Sequence, residues 1–175
     1  MDNKVLFKLS YGMYIVSSKS GEKFSACIVN TVTQITAENK PKLIVAINKD
    51  NYTNSLVKES KKINISILSN KADMLEIGRF GFRSGRDNNK LEGTEYKIGK
   101  NNIPIITENI VAYMECDVID IIDSGTHDLF VLEMQDGGFL DEALTPMTYE
   151  YYHSVIKGKT PPKASTYNKE KGYKK

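Results

Sequence analysis

Apolar side chains alternate with polar ones along much of the chain, the period-two pattern of strands that bury one face. Over residues 11–17, Tyr11, Met13 and Ile15 fall on one face. A second run, residues 24–30, follows after Ser20 and Gly21, so the two runs predict a hairpin. Residues 43–47 and 63–68 are short continuous apolar runs that suit well-buried strands. Ala112, Met114, Cys116 and Val118 alternate with Tyr113, Glu115 and Asp117 in the longest strand predicted, and Asp123, Ser124 and Gly125 turn it into a partner over residues 128–135. Helical signals are fewer. Asn51 or Thr53 caps a short helix running to about Lys61 with Leu56 and Val57 as its apolar positions, and residues 72–79 carry Met74, Leu75 and Ile77. At least six strands and two or three short helices, without repeated strand and helix alternation, argue against a doubly wound parallel sheet. They predict a mainly β fold, a small antiparallel barrel with appended helices.

Composition narrows this reading. With 175 residues, 40% of them apolar and 26% charged, the chain has the profile of one ordinary globular domain whose core needs no disulfide or metal. Cys27 and Cys116 form no CxxC pair and sit in apolar runs, which predicts buried free thiols; with His127 and His153 far apart, no metal cluster is expected. No segment approaches the roughly 20 apolar residues of a membrane span and no signal peptide is visible, so the expected location is cytoplasmic.

The net charge of +2 is unevenly spread. Residues 157–175 hold seven lysines against Glu170, which leaves residues 1–156 mildly acidic. The expected organisation is therefore a domain over residues 1–156 and a basic extension, extended or disordered unless it lies on another surface. An acidic body argues against nucleic-acid binding on the folded surface, although the tail with Tyr167 and Tyr173 keeps a single-strand-binding barrel as a low-ranked reading. Gly93, Gly99 and Lys100 imitate a phosphate loop, but one residue too many separates them and Asn101 stands where a magnesium-binding Ser or Thr belongs. There is no GxGxxG after a strand, no GxSxG, and no convincing carboxylate pair.

Four stretches, taken in order, resemble the flavin reductase family of FMN-binding split barrels. They are LSYGMYIVSS with SACIVNTVTQIT (residues 9–18 and 25–36), NKDNYTNSLVKES (48–60), FGFRSGRDNNK (80–90) and GTHDLFVLEMQDG (125–137). In the fourth, Thr126 stands where the family has Asp. The resemblance runs from about residue 7 to about 167. Its last part, MTYEYYHSVIKGKTPPKASTY, is similar to the end of the flavin domain of high-molecular-weight rubredoxins. The implied fold is an antiparallel Greek-key split barrel, and the implied cofactor is FMN, at a homodimer interface. The implied activity is hydride transfer from NADH or NADPH to flavin N5. Electrons then pass to a separate acceptor, a rubredoxin-like protein or free flavin. A flavoredoxin-like carrier reduced by another protein is the alternative. Because the sequence carries no pair of CxxC knuckles, the flavin module is expected to stand alone.

Each implied site residue also has a plainer reading. Lys49, Asn51 and Thr53 surround a helix start, where orphan N–H groups and the positive dipole end suit a phosphate; on the residues alone, Asn51 or Thr53 simply caps a surface helix. Thr31 and Thr33 read as solvent-facing strand residues, whereas the resemblance sets Asn30, Thr31, Val32 and Thr33 along the polar edge of the flavin ring, Thr31 near N5. Ser84, Arg86 and Lys90 belong to a charged turn, or reach the phosphate or the incoming dinucleotide. Phe80 and Phe82 are core residues or ring neighbours, and His127 opens a strand or lines the nicotinamide pocket.

Overall fold

The computed structural model describes residues 2–161 and 164–167. After a 3-10 turn (Asn3–Lys8) come β1 (Tyr14–Ser20), β2 (Lys23–Val29), β3 (Val32–Gln34), β4 (Lys42–Asn48), α1 (Tyr52–Ser60) and β5 (Lys62–Leu68). They are followed by α2 (Met74–Gly81), β6 (Tyr96–Ile98), β7 (Pro104–Ile106), β8 (Ile110–Ser124), β9 (His127–Phe139) and α3 (Tyr149–Ser154). Seven strands form one antiparallel sheet in the order β2-β1-β5-β8-β9-β4-β3, and β6 pairs with β7 separately.

The connection between β2 and β3 forces this sheet to curl. These strands end its two opposite edges, yet only Asn30 and Thr31 lie between them. Seven strands laid flat about 4.8 Å apart would hold the edges about 29 Å apart. The short link spans roughly 10 Å. The edges are therefore brought together, and the bond from the Ala46 N–H to the Thr31 carbonyl at 3.3 Å carries the β3–β4 pairing right up to the link. The result is a barrel split at Asn30 and Thr31.

Alternation along β1 and β2 places side chains in two cores. Val16, Cys27 and Val29 join Val45, Ile65, Phe130 and Leu132 inside the barrel, where Val57 of α1 also packs. Met13, Ile15 and Ala26 face outward and are covered by Ile77 and Phe80 of α2, with Met147 and Tyr152. Cys27 and Cys116 are buried and free, as the sequence implies.

Two boundaries differ from the sequence reading. The first strand starts at Tyr14 rather than Tyr11, because residues 11–13 pair instead with the segment before α3: Tyr149 N–H bonds to the Tyr11 carbonyl at 2.8 Å and Met13 N–H to the Met147 carbonyl at 3.1 Å. β8 and β9 also run longer at both ends than the alternation suggested. Among the described residues, no helix is long and apolar enough to cross a membrane, and no group of three or more His, Cys, Asp or Glu gathers to hold a metal.

Candidate functional site

A cavity of about 70 Å³ opens at the barrel seam. Met13, Ile47, Ile77 and Tyr152, each 2% exposed or less, supply apolar walls. Polar groups enter from strand and helix ends: Asn30 after β2, Asn48 at the end of β4, Asn51 before α1 and His127 at the start of β9. Two of these positions follow from the sheet register, because β4 and β9 pair so that Asn48 faces His127 at the same sheet end. Phe82 and Gly81 close another side from the end of α2. An apolar floor with a few convergent polar groups is the usual make-up of a small-molecule site.

Beside this cavity, the start of α1 is heavily anchored. Asn51 is the N-cap, its side chain accepting from the Thr53 amide at 3.0 Å. Thr53 is fully buried, and its hydroxyl hydrogen-bonds Ser25 Oγ at 2.9 Å. The next residue, Asn54, donates through Nδ2 to the Ile47 carbonyl at 3.1 Å and to Asp128 Oδ2 at 2.9 Å, while Lys58, one turn further on, reaches the same carboxylate at 2.6 Å. Burial alone would push the Asp128 carboxyl up, but the bonds from Lys58 and Asn54 outweigh it and hold the group below the usual carboxylate range. Burial pushes the Cys27 thiol up to about 11, against the pull of Thr53, Lys90 and Asn51 beside it.

The arginine-rich loop lies across this helix start. Arg86 stacks its guanidinium 5.4 Å from the centre of the Tyr52 ring, and Ser84 Oγ accepts from the Arg86 amide at 3.1 Å. Gly85 is required by contact, since a Cβ there would stand 2.2 Å from Ser25 Oγ. Thr53, Ser25, Ser84 and Arg86 are thereby gathered around one corner.

Not every residue expected at the site reaches it. Lys90 is 2% exposed, and its ammonium donates to the Arg79 and Arg83 carbonyls, the second at 2.6 Å, at the C-terminal end of α2 where the helix dipole favours a cation. Burial lowers its pKa to about 8. Phe80 lies in the outer core, and its neighbour Phe82 takes the place at the cavity. Lys49 pairs with Asp123 at 2.6 Å. Thr33 is exposed on β3 opposite Ile44, and Val32 packs against the barrel interior opposite Val45. His127 is half-buried, its Nδ1 2.9 Å from Thr126 Oγ1.

The sequence reading missed Ser25, Tyr52, Tyr149 and the residues after α3. Ser25 had a signal: it is the polar member of the row Ser25, Cys27, Val29 that faces the barrel interior. Tyr149 lines the cavity from the start of α3, and Pro161, Ala164 and Ser165 line it from the segment expected to be extended or disordered unless it lies on another surface.

This geometry can be set beside known proteins. The flavin reductase like domain family matches residues 6–158. The chain belongs to that family. Its similarity extends to a ferric-chelate reductase (NAD(P)H) from Archaeoglobus fulgidus, 43% identical over 98% of this chain and the whole of that one. A high molecular weight rubredoxin from Moorella thermoacetica is 38% identical over 95% of this chain and 72% of its own. The flavoredoxin of Methanosarcina acetivorans shares the fold of this family member, with a TM-score of 0.69 and 22% identity over 79% of this chain and 73% of that one. The split-barrel fold implied by the sequence resemblance is therefore the observed one.

Proposed function

We propose that the seam cavity holds the ring of FMN, that its phosphate sits at the start of α1, and that NADH or NADPH is the hydride donor. The observation that carries this reading is the pairing of an apolar slot with a polar corner at a helix start, in a chain 43% identical to a ferric-chelate reductase (NAD(P)H). The corner suits a phosphate dianion: first-turn amides, the Asn51, Thr53, Ser25 and Ser84 side chains, and the Arg86 charge are neighbours there. Gly85, which leaves no room for a side chain against Ser25, keeps that loop close to the barrel.

Bound FMN supplies the redox chemistry, accepting a hydride and releasing electrons to an acceptor. The protein's residues position and shield. Asn30 and Thr31 present an amide and a hydroxyl at the seam for the polar edge of the ring. Ile47, Ile77 and Met13 keep water from one side. His127 borders the side open to the nicotinamide and serves to orient it. No acid–base pair is needed, because hydride transfer depends on proximity and alignment.

For the acceptor, the name of the Moorella relative, a high molecular weight rubredoxin, supports a rubredoxin-like protein, and that of the Archaeoglobus relative supports a ferric chelate; free flavin is the third candidate. The reading also includes a homodimer in the cytoplasm. Ile119, Ile122 and Phe139 on the β8–β9 hairpin, 46–66% exposed, support a second copy, which sedimentation will detect. Purified protein should turn yellow with FMN and bleach anaerobically with a reduced nicotinamide nucleotide. If bound FMN is reduced only by a ferredoxin-type donor, the flavoredoxin-like carrier is the better reading.

A further inference from the structure

The polar groups at the seam are already occupied by the chain itself. Asn30 is 7% exposed and its amide is engaged at both ends: Nδ2 donates to Thr166 Oγ1 at 2.7 Å, and Oδ1 accepts from Ser165 Oγ at 2.8 Å. Thr31 Oγ1 lies 3.0 Å from the same Ser165 hydroxyl. Thr166 in turn donates to the Tyr149 hydroxyl at 3.1 Å, which also meets Thr160 Oγ1 at 2.5 Å. Residues 158–161 and 164–167 thus form a strap over the cavity, rooted where Gly158 packs so tightly on the Tyr152 ring that a Cβ would stand 2.0 Å from it. Pro161, Ala164 and Ser165 are one wall of the cavity.

Space leads to the same conclusion as hydrogen bonding. An apolar cavity of about 150 Å³ holds one benzene ring. This one measures about 70 Å³, too little for three fused rings. The walls differ in how readily they yield. Ile47 and Ile77 are 1% exposed within packed elements, whereas Ser165 and Thr166 are held by hydroxyl bonds at the surface. A wall fixed by such bonds opens at less cost than one fixed by core packing.

We infer that the strap is a built-in competitor of the flavin, occupying the Asn30 amide and the Thr31 hydroxyl until it is displaced. Strap release then limits how fast flavin enters. This rests on the reading of the cavity as the flavin site. It predicts a protein that binds FMN in a slow step whose rate levels off with FMN concentration, because opening precedes binding.

The test is stopped-flow mixing of FMN with the full chain, with Ser165→Ala/Thr166→Ala and with Tyr149→Phe, following flavin fluorescence and checking each fold by thermal melting. Tyr149→Phe removes the hydroxyl that holds Thr160 and Thr166 but keeps the ring, so it supplies a second well-folded probe. The expected result is a limiting rate about tenfold higher in both variants, the effect of a few weak hydrogen bonds lost. Unchanged rates, or weaker FMN binding with faster release, would overturn the strap as competitor while leaving the flavin site intact. Failure of all three proteins to bind FMN would overturn the site reading, and the strap with it.

Discussion

Asn51 and Asn30 line the same cavity, yet they are set in different ways. Asn51 caps a helix pinned to the barrel by Leu56 and Val57, both 1% exposed or less, and by the Asn54–Asp128–Lys58 cluster. Asn30 is ordered by Ser165 and Thr166, residues 135 and 136 positions away on a surface strap. A site built half from core and half from a hydrogen-bonded surface strap can keep its geometry at one end while admitting a ligand at the other. Stability resides in the first half and access in the second.

If that division is right, changes to the two halves separate cleanly. Leu56→Ala, which opens space beneath α1, should lower unfolding free energy by about 3 kcal/mol in a urea titration. Removing the Ser165 and Thr166 hydroxyls should lower it by no more than about 1.5 kcal/mol. Equal losses would erase the distinction.

The outer core contributes a pH dependence of similar size. Glu76 is 6% exposed, its Oε1 has no hydrogen-bond partner and Oε2 accepts from Asn109 at 2.9 Å. Burial raises its pKa from 4.5 to about 7, an effect that the Asn109 bond opposes and the nearby Glu108 and Asp73 reinforce. The folded state therefore holds a proton that the unfolded chain releases between about pH 4.5 and 7. Stability is fully retained below that window and falls across it by up to about 3 kcal/mol, with no further change from this group above it. Glu76→Gln should flatten the profile.

Within the site itself, Thr53→Ala should weaken FMN binding by about 1.5–3 kcal/mol, the worth of a hydrogen bond to a charged group, as read by fluorescence titration with the barrel still folded. Unchanged affinity would remove Thr53 from the phosphate corner. A smaller effect on binding is expected at His127: His127→Ala should slow reduction by the nucleotide while FMN remains bound. Loss of FMN would place His127 against the flavin instead.

The legible parts of this structure were those written in local sequence. The alternation on either side of Gly21 became the β1–β2 hairpin, and Asn51 did cap a helix that ends at Lys61; the turn expected at Asp123 to Gly125 falls at Gly125 and Thr126, because Asp123 and Ser124 still pair with Asp128 and His127. The three-residue strands β3, β6 and β7 are too short to show a period. Lys90 was misplaced for another reason: a lysine reads as a surface charge, and only the three-dimensional course of the loop reveals carbonyls waiting to receive it. The strap is the clearest case. A segment rich in Lys and Pro carries no apolar stripe to announce docking, and the partners of Ser165 and Thr166 lie far off in sequence. The part of the predicted tail at residues 162–163 and 168–175 lies outside the described residues.

The absorption spectrum of the FMN-loaded protein, recorded under argon before and after adding NADH and then NADPH, tests the central claim most directly. The account predicts a bound-flavin spectrum that bleaches with at least one of the two nucleotides and returns when an electron acceptor is admitted. A protein that stays colourless after incubation with FMN, or whose bound flavin neither nucleotide reduces, would contradict it.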